Sequence, residues 1–101
     1  MKAYLVGFSS RSNKNSQWID KYSCIASNVL KKYEGKVLII GKPETILSGN
    51  NWERLTIIEF PSLAKLKCFN KDLEYSKVKN LRIKNTIGEM YFFKEIGVRE
   101  S

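Results

Sequence analysis

At 101 residues with 43% hydrophobic side chains, the chain carries enough apolar material for one core but not two, so a single domain over residues 1–101 is expected. Histidine is absent, which excludes a Ser/His/Asp triad, a His-ligated zinc and a proximal-His haem. Lys and Arg number 18 against 10 Asp and Glu, a formal charge of +8 that raises an acidic partner such as nucleic acid without establishing one.

Residues 2–8 read as a first strand, because both alternating sets, Ala3/Leu5/Gly7 and Tyr4/Val6/Phe8, are apolar. The run is too short for a signal-peptide core and ends in Ser9-Ser10-Arg11 without a cleavage pattern. After a polar loop over 9–14, Asn15 is expected to cap a helix that runs to about Tyr33. Its apolar positions Trp18, Tyr22, Ile25, Ala26, Val29 and Tyr33 recur at three- and four-residue steps and form one stripe for a sheet to cover. Gly35 is the expected helix stop, since glycine tolerates the left-handed conformation.

Val37-Leu38-Ile39-Ile40 is a β-branched run without polar alternation and predicts a strand covered on both sides. Thr45-Ile46-Leu47 extends that strand past a bend, and the turn formers Ser48-Gly49-Asn50-Asn51 predict a tight hairpin. The third strand spans 54–60 and must end at Pro61, which has no ladder N–H. Ser62 caps a second helix with Leu63, Leu66 and Phe69 inward. A further helical piece after an irregular Lys71-Asp72-Leu73 turns Tyr75, Val78 and Leu81 to the core. Gly88 opens the last strand, Met90-Tyr91-Phe92-Phe93 is apolar on both parities, the ordered core ends near residue 96, and 97–101 is expected to fray.

The order βαββαβ, with two crossover helices, predicts an α+β ferredoxin-like domain: an antiparallel four-stranded sheet with both helices on one face. An open second face would show polar residues at alternate positions, and strands one, two and four show almost none. Left bare, that face would expose an apolar patch at or above the roughly 300–600 Å² a monomer tolerates, so a homodimer is expected, with a ligand-lined face or another partner as the alternatives.

The segment Trp52-Glu53-Arg54-Leu55-Thr56-Ile57-Ile58-Glu59-Phe60-Pro61-Ser62 resembles the family called domain of unknown function 1330. The likeness continues through Lys2-Ala3-Tyr4, Tyr22, Gly35, Gly49, Phe69, Glu74-Tyr75 and Arg82, covering nearly the whole chain. It implies membership of the dimeric α/β-barrel superfamily: two ferredoxin-like protomers packed sheet to sheet, with pockets beside each sheet, and no particular reaction. After strand two the family typically shows Arg-Gly-Gly, whereas this chain has Ile40-Gly41-Lys42, so an anion site on that arginine is not carried over.

Glu59 shares strand parity with Leu55 and Ile57, which puts a carboxylate among apolar neighbours. Desolvation there would make it a general base, while an arginine or hydroxyl partner would make it a device that fixes dimer register, the reading favoured here. Arg54 and Arg82 are candidate anion clamps set against ordinary surface pairing. Tyr22, Trp18 and Trp52 are candidate walls of an aromatic pocket set against simple packing. Cys24 and Cys68 sit in helical patterns without metal-ligand or disulfide spacing and are expected as free thiols.

The leading function is therefore a small dimeric protein that binds, and in one version transforms, a small organic molecule in a cleft beside the sheet. A cofactor-free isomerase or oxygenase, as in some members of that superfamily, would use Glu59 or a tyrosine in acid/base work; no cofactor and no metal are expected. The rival is an RNA-binding module of the same topology, which needs exposed aromatics on strands one and three. Residues 54–60 lack that third-strand motif, so nucleic acid is disfavoured. A structural dimer without ligand is the third reading. No stretch approaches the roughly 20 apolar residues that span a bilayer, and a soluble cytoplasmic protein is expected.

Overall fold

Alternation along the strands sets the two faces of the sheet. The structure, a computed structural model, describes residues 1–95. Its strands are β1 (Ala3–Arg11), β2 (Lys36–Gly41), β3 (Arg54–Phe60) and β4 (Thr86–Lys94), and its helices α1 (Gln17–Lys32), α2 (Leu63–Lys71) and α3 (Leu73–Asn85). The strands form one sheet in the order β2-β3-β1-β4, every pair antiparallel, which is the ferredoxin-like arrangement. On one face Ala3 lies opposite Phe60, and Leu5 opposite Ile58. These four pack with Ala26 and Val29 of α1, Leu66 and Phe69 of α2, and Tyr75 and Val78 of α3 in the hydrophobic core.

The other face is also apolar, and it is open. Tyr4, Val6 and Phe8 stand opposite Glu59, Ile57 and Leu55 of β3 and opposite Phe93, Tyr91 and Glu89 of β4. Ile39 continues the row on β2, opposite Ile57. Phe93 is 52% exposed and Ile39 50%, on the two edge strands of this face.

Several local expectations change. The helix N-cap position of α1 is Ser16, not Asn15, and Ser16 makes no side-chain cap bond. Asn15 acts from one position earlier, its Oδ1 accepting from the Gln17 N–H at 3.1 Å. At the other end Glu34, not Gly35, takes the left-handed conformation, with φ 60°. The N–H groups of Glu34 and Gly35 donate to the Lys31 and Leu30 carbonyls at 3.2 and 2.8 Å, the paired bonds of a Schellman closure. Glycine at 35 serves close packing instead, because a Cβ there would lie 2.7 Å from Leu30 Cδ2 and 3.0 Å from Phe60 Cε1.

Residues 45–47 form no strand, and the predicted tight hairpin is a long connection over residues 42–53 in which Leu47 is 94% exposed. The turn-rich composition was real, but Pro43 and the absence of pairing partners prevent β2 from extending. β4 begins at Thr86, two residues before Gly88, and leaves α3 without a loop. The expected frayed tail at 97–101 lies outside the described residues. Ser62 caps α2 as expected, its Oγ accepting from the Lys65 N–H at 3.2 Å.

The irregularity at Asp72 divides the second crossover into α2 and α3, so the molecule has three helices. Asp72 caps α3: its Oδ1 accepts from the N–H groups of Glu74 and Tyr75 at 2.9 and 3.3 Å. Its Oδ2 accepts from the Tyr33 hydroxyl at 2.7 Å and Lys32 Nζ at 3.0 Å. Those bonds, led by Tyr33 and then Lys32, hold the carboxyl down to about 2. One carboxylate thereby joins the end of α1 to the start of α3.

Candidate functional site

The helices do not fill the space they cover. Between α1, α3 and the sheet lies a cavity of about 380 Å³, within the size range of small-molecule sites. Its floor is the helix-side row of the strands, including Leu5, Thr56, Ile58 and Met90, and its roof is the Trp18–Tyr22–Ala26 side of α1. Gly7, Ala26 and Gly88 border this volume. Gly88 is also obligatory for pairing, because a Cβ there would fall on the Phe8 carbonyl oxygen.

Polar groups enter the cavity at two places. Deep in it, the Tyr22 and Tyr75 hydroxyls are 2.9 Å apart and bridge α1 to α3. Burial pushes the Tyr22 phenol well above its ordinary value, and the neighbouring Tyr75 adds to this, while Arg82 opposes it. Arg82 lines the same wall, and its Nε is sealed from solvent with no hydrogen-bond acceptor among the described residues. Arg82 is the charged side chain at this end, so the end attracts negative charge.

The second group of polar side chains is at the mouth, where Arg54 borders both the cavity and an adjoining depression that holds Arg11, Lys42 and Glu53. Arg11 is committed to Glu53 by a 3.8 Å ion pair and by its N–H, which donates to Glu53 Oε1 at 2.8 Å. Arg54 and Lys42 carry no such pair among the described residues. Trp18 stands at the rim with its indole N–H donated to the Asn15 carbonyl at 2.9 Å, which leaves the ring itself as apolar wall.

Of the residues singled out from sequence, Tyr22, Arg54 and Arg82 therefore meet around one cavity, with Trp18 beside them. Trp52 borders neither the cavity nor its mouth. Glu59 lies on the opposite face of the sheet, opposite Tyr4, where Lys2 Nζ pairs with it at 3.3 Å. Its partner is thus a lysine, not the arginine or hydroxyl anticipated. Tyr75 was legible only as a core position; nothing in its spacing announces a hydroxyl contact with Tyr22. Cys24 and Cys68 are free and exposed on the helices, away from the cavity. Among the described residues no helix is long and apolar enough to cross a membrane.

Comparison with known families agrees with this architecture. The family described as a domain of unknown function, DUF1330, matches residues 2–96. The chain is a member of the DUF1330 family. Curated protein sequences gave no match. Among solved structures, this DUF1330 chain is similar to RPA0582, a protein of unknown function from Rhodopseudomonas palustris, with TM-score 0.78 and 17% identity over 96% of this chain and 84% of that one. It is similar to SnoaB, a cofactor-independent oxygenase from Streptomyces nogalater, with TM-score 0.66 and 5% identity over 96% and 95% of the two chains. A dimeric protein of unknown function with a ferredoxin-like fold from Bacteroides fragilis aligns with TM-score 0.52 and 9% identity over 93% and 96%. At these identities the likeness establishes the DUF1330 chain's fold and nothing finer.

Proposed function

We propose that this DUF1330 protein is a homodimer in which each protomer holds a small organic molecule in the cavity between its helices and its sheet. The observation that carries the binding reading is the cavity itself: about 380 Å³ of mostly apolar wall with Tyr22, Tyr75, Arg54 and Arg82 converging on it. An ordinary core at native packing density has no such space. Tyr22, Arg54 and Arg82 are the ligand-binding residues in this reading, and Trp18 replaces Trp52 as the aromatic wall.

The dimer rests on the back face. Tyr4, Val6, Phe8, Ile39, Leu55, Ile57, Tyr91 and Phe93 form a continuous apolar row system across all four strands. A second copy covers it most simply, because an isologous contact matches an apolar surface to itself. Burying a standard interface of roughly 1,600 Å² would give ample hydrophobic gain over association costs. Glu59 with Lys2 is then a charged pair at the margin of that interface, where it sets register and not chemistry. The dimeric ferredoxin-like protein from Bacteroides fragilis makes the same assembly reasonable for this fold.

Binding is tested by two-dimensional amide NMR of the labelled protein titrated with a library of small aromatic and aliphatic compounds. Shifts confined to Leu5, Trp18, Tyr22, Thr56 and Arg82 are expected. Shifts confined to the back face, or none across the library, would contradict the cavity as the site.

A further inference from the structure

We infer that the molecule held in this cavity is an amphiphilic monoanion, with its apolar body inside the cavity and its carboxylate at the mouth beside Arg54 and Lys42. This rests on the cavity being a binding site, and it adds the charge of the ligand and the direction in which it lies. The cavity and the depression at its mouth are continuous, for Ser9, Trp18, Ile19, Arg54 and Thr86 border both. The two spaces are similar in volume, about 380 and 370 Å³, and opposite in character. The inner one is walled chiefly by apolar side chains such as Leu5, Ala26 and Ile58, whereas the outer one holds Arg11, Lys42, Glu53 and Arg54. A ligand that fills both must be apolar at one end and polar at the other.

The charge of the outer space decides the sign of that polar end. Among the described residues Glu53 is the only acid bordering it, and Arg11 already engages Glu53 through an ion pair and a backbone N–H. Glu53 is tied to β1 a second time by its own N–H, which donates to Ser10 Oγ at 3.0 Å. The next residue, Arg54, opens β3 with the helix-side parity of Ile58, so a firmly anchored stretch of backbone carries it to the mouth. Arg54 and Lys42 are exposed and make no ion pair among the described residues, so a ligand oxygen can reach both. Exposed cations alone are an ordinary solvated surface; these two stand at the open end of an apolar cavity, whose low-dielectric walls strengthen their field. The guanidinium offers a fork that matches the two oxygens of a carboxylate, and the ammonium adds a point charge. Glu53 repels a doubly charged head more than a singly charged one, which favours the monoanion.

The test uses the full-length protein and three probes with one apolar body, 4-(2-naphthyl)butanoate, its primary amide and 3-(2-naphthyl)propyl phosphate, with affinities read by calorimetry and sites by NMR shifts. The acid should bind about tenfold more tightly than the amide, the discrimination that hydrogen bonds to a charged group supply. Both should shift Ala26 and Ile58, and only the acid should shift Arg54 and Lys42. Arg54→Gln should remove most of the preference and Arg54→Gln/Lys42→Gln all of it, with amide binding unchanged in each. Lys67→Gln removes the same charge from the exposed side of α2, away from both spaces, and should leave the preference intact. Equal binding of acid and amide by the unaltered protein would overturn the inference and leave the cavity reading standing. An equal loss of preference in the Lys67 variant would overturn it in favour of net charge, and tighter binding of the phosphate would overturn the monoanion. Failure of all three probes to bind would overturn both readings together.

Discussion

The hydroxyls of Tyr22 and Tyr75 lie 2.9 Å apart, joining α1 to α3 across the end of the cavity. Tyr75 is 2% exposed, so its hydroxyl has Tyr22 in place of water. Tyr22→Phe leaves that buried hydroxyl without its partner, and a loss of about 1–3 kcal/mol is expected. The double variant Tyr22→Phe/Tyr75→Phe should lose less than the sum of the two single changes, because no orphan remains. Urea denaturation of the four proteins checks the cycle; additive losses would mean the hydroxyls do not interact.

The same pair sets alkaline behaviour. Folding raises the Tyr22 phenol above its ordinary value of 10.0, chiefly by burial and then through Tyr75. The folded state therefore binds more protons than the unfolded chain above that value, and its stability is complete below pH 10 and falls as pH rises. Tyr22→Phe should flatten this alkaline decline, measured as denaturation midpoint against pH.

Asp72 governs the acid side. Its carboxyl is lowered from 3.8 to about 2, first by the Tyr33 hydroxyl and then by Lys32. Below 3.8 the unfolded chain takes up the proton first, so the stabilisation is present above that pH and is lost as pH falls toward 2. Asp72→Asn should remove this acid-limb slope and lower the midpoint at neutral pH, since the amide replaces one accepting oxygen with a donor. An unchanged slope between pH 4 and 2 would exclude Asp72 as its source.

Gly88 is a site where one methyl group is expected to be disruptive. A Cβ there would meet the Phe8 carbonyl and Ser9 Cα, backbone atoms of the paired strand that cannot rotate away. Gly88→Ala should cost at least about 1–3 kcal/mol, the range for forced overpacking. Amide exchange checks the cause: protection should fall along β1 and β4 while β2 and β3 keep theirs.

Much of this molecule was readable from the residues because local signals agreed with tertiary ones. Strand β3 occupies 54–60 as expected, since the apolar run is closed by a proline that cannot continue a ladder. Ser62 caps α2 because its hydroxyl precedes an apolar period directly. The back face could be inferred from parity alone, as Tyr4, Val6 and Phe8 have no polar alternates. What failed were choices between neighbours and choices of face. Asn15 and Ser16 are both good caps, and only packing decides between them. Glu34 adopts the left-handed turn because Gly35 is needed where Phe60 and Leu30 press on the backbone.

For the site, strand parity decides the face of Glu59. Position 59 alternates with Ile58 and Phe60, which face the helices, so its carboxylate must look to the other side, away from the cavity. Arg54 and Thr56 have the helix-side parity and do border the cavity. Trp52 precedes the strand, where alternation says nothing about face. The cavity itself is an absence of packing, and no periodicity reports the distance between a helix and a sheet.

In the proposed assembly a second copy of the chain covers Tyr4, Val6, Ile57, Tyr91 and Phe93. Sedimentation of the purified protein at micromolar concentration measures this directly. The expected result is a single species of twice 11.7 kDa, reduced to one chain by Ile57→Lys with the circular dichroism spectrum unchanged. A stable species of 11.7 kDa for the unaltered protein, remaining so as concentration is raised, would contradict it.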